Sequence, residues 1–430
     1  MAETLPEKIN PERTSSKIKK FFCKLFLLFL FATFVLIFLV TGLIIFSSLY
    51  NEPMQMYPER VRGIKISPPI PVVPGEGMPK DFSPMRSTNN VDLVRIGTSI
   101  FMSFRTAPSH FASPKTRLYV MRSGDEGKTW QNELCIYIGR DLREPRFLYF
   151  KNRLFLYFYT GGSDPLKFEP GEIHFCERND NGEWTQPQPM YKPGYVVWRV
   201  RTWEDKAYMS IYYGLDIYGK GDRGEARLLV STDGIHWEQI SKKPQIECVG
   251  AEEAEFVFDE KGGIVALVRM EVGGGALVCR APVENIDCWT CKFTPYKVDS
   301  SLMFVHAGRY YVIGRRNIAG RSARGWKFLP ESIRNAWSMV FYSLTRKRTC
   351  LYEINPNSLE LYPLLDFPSK GDTAFAGIVP LSGNKYYLVN YSSPLEGPDL
   401  PWIGGQLIGS QLYSFVLDFS DVNSMGMEQK

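Results

Sequence analysis

Four tryptophans at near-constant spacing set the tightest limit on what this chain can fold into. Trp130, Trp184, Trp237 and Trp289 are separated by 54, 53 and 52 residues. Each follows shortly after an aspartate: Asp125, Asp180, Asp233 and Asp287. A second series keeps the same phase. Apolar runs end at Arg105, Tyr159, Tyr213, Arg269, Arg315 and Tyr391, and each is preceded by a turn-like break and another short apolar run. Short continuous apolar runs bounded by turns read as strands buried on both faces. Several such strands in a repeat of about fifty residues form the unit of a propeller, where each blade covers its neighbour's face. Six units of about 54 residues fill the 329 residues from Val91 to Phe419. The expected fold is therefore all-β, a six-bladed β-propeller. The longer interval between Arg315 and Tyr391 predicts an insertion, placed at residues 319–338, which are basic and helix-compatible.

The amino-terminal region is of another kind. No charge occurs from Leu25 to Asn51, and almost every residue up to Phe46 is apolar. That exceeds the roughly 20 residues needed to cross a bilayer and the 7–15 apolar residues typical of a cleaved signal peptide. Residues 25–50 are expected to be a single transmembrane helix whose partner is the lipid bilayer. The basic cluster before it places residues 1–24 in the cytoplasm, and everything after it outside: periplasmic, luminal or at the cell surface. Eight prolines between 51 and 85 predict an extended stalk. The head then spans 86–420, and 421–430 is a tail.

The net charge of +5 carries little functional information. The first 24 residues account for +3 of it, leaving +2 for the remaining 406, too little for a polyanion-binding surface. Nucleic acid is not an expected partner. Four histidines, His110, His174, His236 and His306, with none near another in sequence, argue against a zinc or iron centre. No metal and no cofactor is expected. Of eight cysteines, Cys288 and Cys291 stand close enough for a local disulfide or a pair of buried thiols.

The segment Ser123-Gly-Asp125-Glu-Gly127-Lys-Thr-Trp130 matches the Asp-box pattern Ser-x-Asp-x-Gly-x-x-Trp in full, and Ser231-Thr-Asp233-Gly234-Ile-His-Trp237 is a shortened copy. Residues 86–420 thus resemble the sialidase superfamily of Asp-box, or BNR-repeat, six-bladed propellers. The resemblance implies that Asp125, Asp233, Trp130 and Trp237 are structural, and that function sits where the inner strands converge. It also implies arginines that grip a sugar carboxylate, a tyrosine nucleophile partnered by a glutamate, and an aspartic acid as general acid/base. Arg269 and Arg315 stand where the second and third arginines of such enzymes come from. Glu253, in Glu252-Glu253-Ala-Glu255, resembles the partnering glutamate, and Tyr391 is the nucleophile candidate. The Phe-Arg-Ile-Pro motif that delivers the first arginine is absent, and the nearest basic residue is Arg86.

Two clusters stand out on chemical grounds. Asp141-Leu-Arg143-Glu144-Pro145 puts three charges in front of a buried strand, where they must reach the channel mouth or pair with each other. It also resembles the Arg-Asp-Pro element of five-bladed fructosidases, with Glu in place of Asp. Arg199 and Arg201 open blade three similarly. The expected catalytic residues are Glu253, Asp141 and Tyr391, and the expected substrate-binding residues are Arg105, His110, Arg143, Arg269 and Arg315. The reading is a membrane-anchored glycoside hydrolase acting on a polar or anionic glycan or glycoconjugate. The alternative is a non-catalytic carbohydrate-binding propeller.

Overall fold

The computed structural model describes residues 11–49, 54–164, 167–214, 223–271, 274–320 and 328–422. They form two units, divided between Tyr50 and Asn51.

The first unit is one helix, Pro11–Leu49. Its stretch Lys19–Gly42 is long and apolar enough to cross a membrane, with a mean hydropathy of 2.8. That stretch takes in Lys19, Lys20 and Lys24 ahead of the charge-free run. Such a segment serves as a signal anchor or as a signal peptide. Residues 1–10 lie outside the described residues.

The second unit is a six-bladed β-propeller made of six antiparallel sheets. Blade one runs through Ser87–Ile96, Ser99–Ala107, Arg117–Ser123 and Gln131–Ile136. Blade two uses Asp141–Phe150, Arg153–Gly161, Ile173–Arg178 and Gln188–Tyr191. Blade three has Tyr195–Trp203, Lys206–Tyr213, Arg223–Ser231 and Glu238–Gln239, with Ile246–Val249 as an added edge. Blade four comprises Ala251–Phe258, Ile264–Met270, Ala276–Ala281 and Thr290–Thr294, and blade five Asp299–His306, Arg309–Asn317, Lys347–Asn355 and Glu360–Asp366. Blade six contributes Gly377–Pro380, Lys385–Ser392 and Gln411–Asp418. First strands of neighbouring blades touch around the axis. The apolar runs of the sequence are the second strands, buried along almost their whole length, as in Leu154–Gly161.

The proline-rich segment is not a free stalk. Lys65–Ile66 and Ile70–Val73 pair antiparallel with Gln411–Asp418, with Lys65 opposite Asp418 and Ile70 opposite Ser414. The amino-terminal segment therefore completes the last blade. Val72 and Val73 are buried in the core, which the density of proline does not reveal. Proline is compatible with a sheet edge, and these are edge strands.

The insertion in blade five lies between Arg309–Asn317 and Lys347–Asn355 and carries the helix Glu331–Ser343. Residues 321–327 fall outside the described residues. A shorter helix, Trp402–Ile408, interrupts blade six and packs beside it, with the Tyr342 and Trp402 rings 5.3 Å apart. The disulfide joins Cys279 to Cys291 across paired strands, and Cys288 is left exposed. Sequence proximity favoured Cys288, but cross-strand register faces Cys279 with Cys291. Of the tail, 423–430 lie outside the described residues.

Candidate functional site

The inner strands share one irregularity. Register shifts occur at Asn89/Asp92 in blade one, Arg143/Arg146 in blade two, Val197/Arg199 in blade three, Glu252/Ala254 in blade four and Asp299/Leu302 in blade five. Four residues inside these bulges adopt positive φ: Asn90, Glu144 and Ser300 at 54° and Glu253 at 44°. A bulge re-aims a side chain out of the pleat. For a side chain larger than glycine, the left-handed conformation costs on the order of 1–3 kcal/mol and persists only where the surroundings impose it. All four line one cavity of about 330 Å³, together with Phe375, whose φ is 77°, before the inner strand of blade six. The bulges recur in step with the blades, so the repeat builds the pocket floor as well as the fold.

Seven of the eight expected residues border this cavity: Asp141, Glu253, Tyr391, His110, Arg143, Arg269 and Arg315. Arg105 does not. It is fully buried behind the wall, donating to the carbonyls of Ser109 (3.3 Å) and Phe111 (3.0 Å) and to Asp141 Oδ1 at 2.8 Å. Its guanidinium is turned into these contacts, whereas Arg269, Arg315 and Tyr391, also on second strands, reach the lining. Arg86 is also absent from the lining and donates to Pro108 O at 3.3 Å.

Asp141 is held by both neighbours. Its Oδ1 accepts from Arg105 and from Thr116 (2.6 Å), and its Oδ2 accepts from Arg143 at 2.5 Å. Burial alone raises a carboxyl; here Arg105 and Arg143 outweigh it and bring Asp141 down to about 2. Held in this way, Asp141 is the shared counter-ion of Arg105 and Arg143 in the cavity wall.

Glu144, three residues on, has the opposite environment. Burial, reinforced by the charge of Glu253 and only partly offset by Arg146, pushes it up to about 7. Arg146 is its nearest cation at 3.5 Å, itself lowered to about 10 by burial and stacked on the faces of Trp198 and Phe375. Sequence reading singled out the charged cluster but favoured the aspartate. Both acids stand in one short cluster, so pattern alone did not separate them.

Glu253 pairs with Arg269 at 2.5 Å and accepts from the Ser300 amide at 2.7 Å. Arg269 is surrounded by Glu253, Glu252 (3.1 Å), Glu271 (2.5 Å) and Asp299 (3.1 Å), and Lys297 joins the last two at 3.1 and 3.4 Å. Glu253, Glu271 and Asp299 occupy its guanidinium, with Glu252 beside Nε, and so compete with a sugar carboxylate for its fork. Burial raises Glu252 well above the usual carboxylate range. Glu255 never reaches the cavity. It is buried with Arg199 (2.6 Å) and Arg201 (2.7 Å), and Arg199 continues to Asp92 at 3.1 Å.

The partner of Tyr391 is not Glu253 but Asp372, which no sequence motif identified. Tyr391 Oη donates to Asp372 Oδ1 at 3.1 Å, Trp402 Nε1 donates to the same oxygen at 2.9 Å, and His110 Nδ1 lies 2.6 Å from Oδ2. Despite burial, His110 and Arg315 keep Asp372 below its ordinary range, whereas burial raises Tyr391 well above its own. Arg315 donates to Ser300 Oγ at 2.8 Å and lies 4.8 Å from the Trp402 ring centre. Asp125 and Asp233 are remote from all this; each accepts hydrogen bonds within its own turn, from Thr129 and from Ile235 and His236. Among the described residues no cluster of His, Cys, Asp and Glu is arranged to hold a metal ion.

No protein-family model and no curated protein sequence matches this chain. The fold does match solved structures. Trypanosoma rangeli sialidase with the inhibitor DANA is similar over 84% of this chain and 61% of its own length, with a TM-score of 0.57 at 12% identity. The same enzyme with sialic acid gives 0.55 at 10% identity over 86% and 61%. The phage phi92 endosialidase gives 0.50 at 10% over 78% and 68%. The chain thus spans about three fifths of the trypanosomal protein, and the likeness is one of fold.

Proposed function

We propose, from a sialidase-like propeller as the premise, that the head is a retaining glycoside hydrolase for a polar, uncharged sugar. One observation carries the reading: a carboxyl raised to about 7, Glu144, borders the same cavity as the Tyr391–Asp372 pair. Titratable groups whose environments push their protonation apart mark the acid and base of a site.

In this reading Tyr391 Oη attacks the anomeric carbon while its proton passes to Asp372. The glycosidic C–O bond breaks, and the leaving oxygen takes the proton of Glu144. Water then attacks the tyrosyl glycoside, giving a proton to the Glu144 carboxylate, and the proton on Asp372 returns to Tyr391. Two displacements at one carbon retain its configuration. Arg143 and Arg315 would donate to hydroxyls. The pairing of Arg269 with Glu253, Glu271 and Asp299 is what argues against a carboxylated sugar.

The test is hydrolysis of a fluorogenic glycoside panel, sialosides included, by the full chain, by Glu144→Gln and by Tyr391→Phe. Release of a neutral sugar that both variants abolish supports the proposal. Silence from the folded parent across the panel would leave a binding propeller instead.

A further inference from the structure

The loop that carries His110 is gripped by two arginines. Arg105 donates to the carbonyls of Ser109 and Phe111 at 3.3 and 3.0 Å, and Arg143 donates to the carbonyl of His110 between them at 2.8 Å. Three consecutive carbonyls thus meet guanidinium groups that share Asp141. The His110 side chain that they position is 18% exposed and borders the cavity.

The partners of the ring decide which nitrogen carries a proton. Nδ1 lies 2.6 Å from Asp372 Oδ2. A bare ring nitrogen and a carboxylate oxygen are both acceptors, so a proton must stand between them. The other oxygen of Asp372 accepts from Tyr391 Oη and Trp402 Nε1 and lies 3.6 Å from Arg315 Nη1, surroundings that favour the carboxylate form. The shared proton therefore belongs to Nδ1. Asn89 Nδ2, 3.4 Å from the same nitrogen, makes the longer contact. Burial, with the charges of Arg143 and Arg105, lowers His110 below its ordinary value against the pull of Asp372. A neutral ring with Nδ1–H tied to a carboxylate keeps a lone pair on Nε2.

Such an acceptor calls for a donor on the ligand. His110 and Tyr391 share Asp372, and their ring centres are 6.3 Å apart. A group that meets Nε2 is therefore close to the carbon that Tyr391 attacks. Hydrogen bonds to the hydroxyl beside the anomeric carbon strengthen in the transition state of glycoside cleavage.

We infer that His110 Nε2 accepts a hydrogen bond from a hydroxyl on the carbon adjoining the anomeric carbon, so that the site selects glycosides bearing that hydroxyl over those deoxygenated there. The substrate class rests on the hydrolase reading with Tyr391 as nucleophile; the acceptor rests on the contacts of His110 alone.

The full chain in detergent micelles, labelled with nitrogen-15 at its four histidines, tests the acceptor. The signals lost in both His110→Asn and His110→Gln belong to His110, and at neutral pH they should show a neutral ring protonated at Nδ1. A ring protonated at Nε2, or at both nitrogens, overturns the inference whatever the activity. The substrate class is read from two fluorogenic glycosides of the sugar the parent cleaves, alike except for hydroxyl or hydrogen on the adjoining carbon. Asparagine places an amide near Nδ1 and keeps the donor to Asp372; glutamine places one near Nε2 and keeps an acceptor. The parent's preference in kcat/KM for the hydroxylated glycoside should fall about 10–100-fold in His110→Asn and be largely kept in His110→Gln. Equal preference in the parent and His110→Asn overturns the inference and leaves the hydrolase reading standing. A parent that cleaves no glycoside removes that reading and the substrate class together, and the spectrum still decides the acceptor.

Discussion

Tyr391 and Asp372 are joined by a hydrogen bond of 3.1 Å at the edge of the cavity, and the second oxygen of Asp372 is occupied by His110. The pair comes from blade six alone, the tyrosine from a second strand and the aspartate from the loop leading into the first. Asp372→Asn keeps the shape but removes the proton acceptor. Its expected effect is a fall of about 10²–10⁴-fold in kcat/KM on whichever glycoside the parent cleaves. Tyr391→Phe should also eliminate the glycosylated intermediate, read as an added sugar mass after rapid quenching with an activated fluoroglycoside.

In the proposed mechanism Glu144 sets the alkaline limit. A general acid must be protonated, and the Glu144 proton is lost as pH rises through about 7. Activity should therefore fall on the alkaline side of neutrality. Glu144→Gln should remove that limb and cost about 10²–10⁴-fold on substrates with poor leaving groups. The pH profile of kcat/KM measures both. The raised value also contributes stability that is complete below the ordinary carboxyl range and is lost as pH climbs through about 7.

Asp141 should prove structural. Asp141→Asn leaves Arg105 and Arg143 without their shared counter-ion, and removing one partner of a buried pair costs about 3–5 kcal/mol. Denaturant melts should show the loss. Because its value is depressed to about 2, its stabilising contribution is present above the ordinary aspartate range and disappears as pH falls towards 2. Unchanged stability with lost activity would return Asp141 to the catalytic role the sequence suggested.

The amino-terminal strand is expected to be part of the fold. Val73 is fully buried where Ile70–Val73 pairs with Gln411–Asp418. Val73→Asp should destabilise the head by at least about 1–3 kcal/mol, the cost of burying an unsatisfied polar group. A stalk would tolerate the change; thermal melts of the full chain in detergent decide between them.

The period carried most of the architecture. It marked the second strands through the runs ending at Arg105, Tyr159, Arg269 and Arg315, and it gave six blades, because a buried strand must be apolar wherever it recurs. Its reach ended at the site. Asp372 lies in a loop with no repeat partner, and Glu144 and Asp141 are both acids in one short cluster, indistinguishable by pattern. Nor could composition show that residues 65–73 close the ring, since proline suits an edge strand as well as a stalk.

What the sequence determined by itself was the apolar helix, the propeller and the group of blades whose charges face the axis. The tertiary structure alone decided which charge does what. Asp141 is held low because Arg105, from another blade, is brought to 2.8 Å, whereas Glu144 is raised to about 7 because burial outweighs a cation at 3.5 Å. Protonation follows from burial and from the distance to groups remote in the chain, and both come into being only when the blades close around one axis.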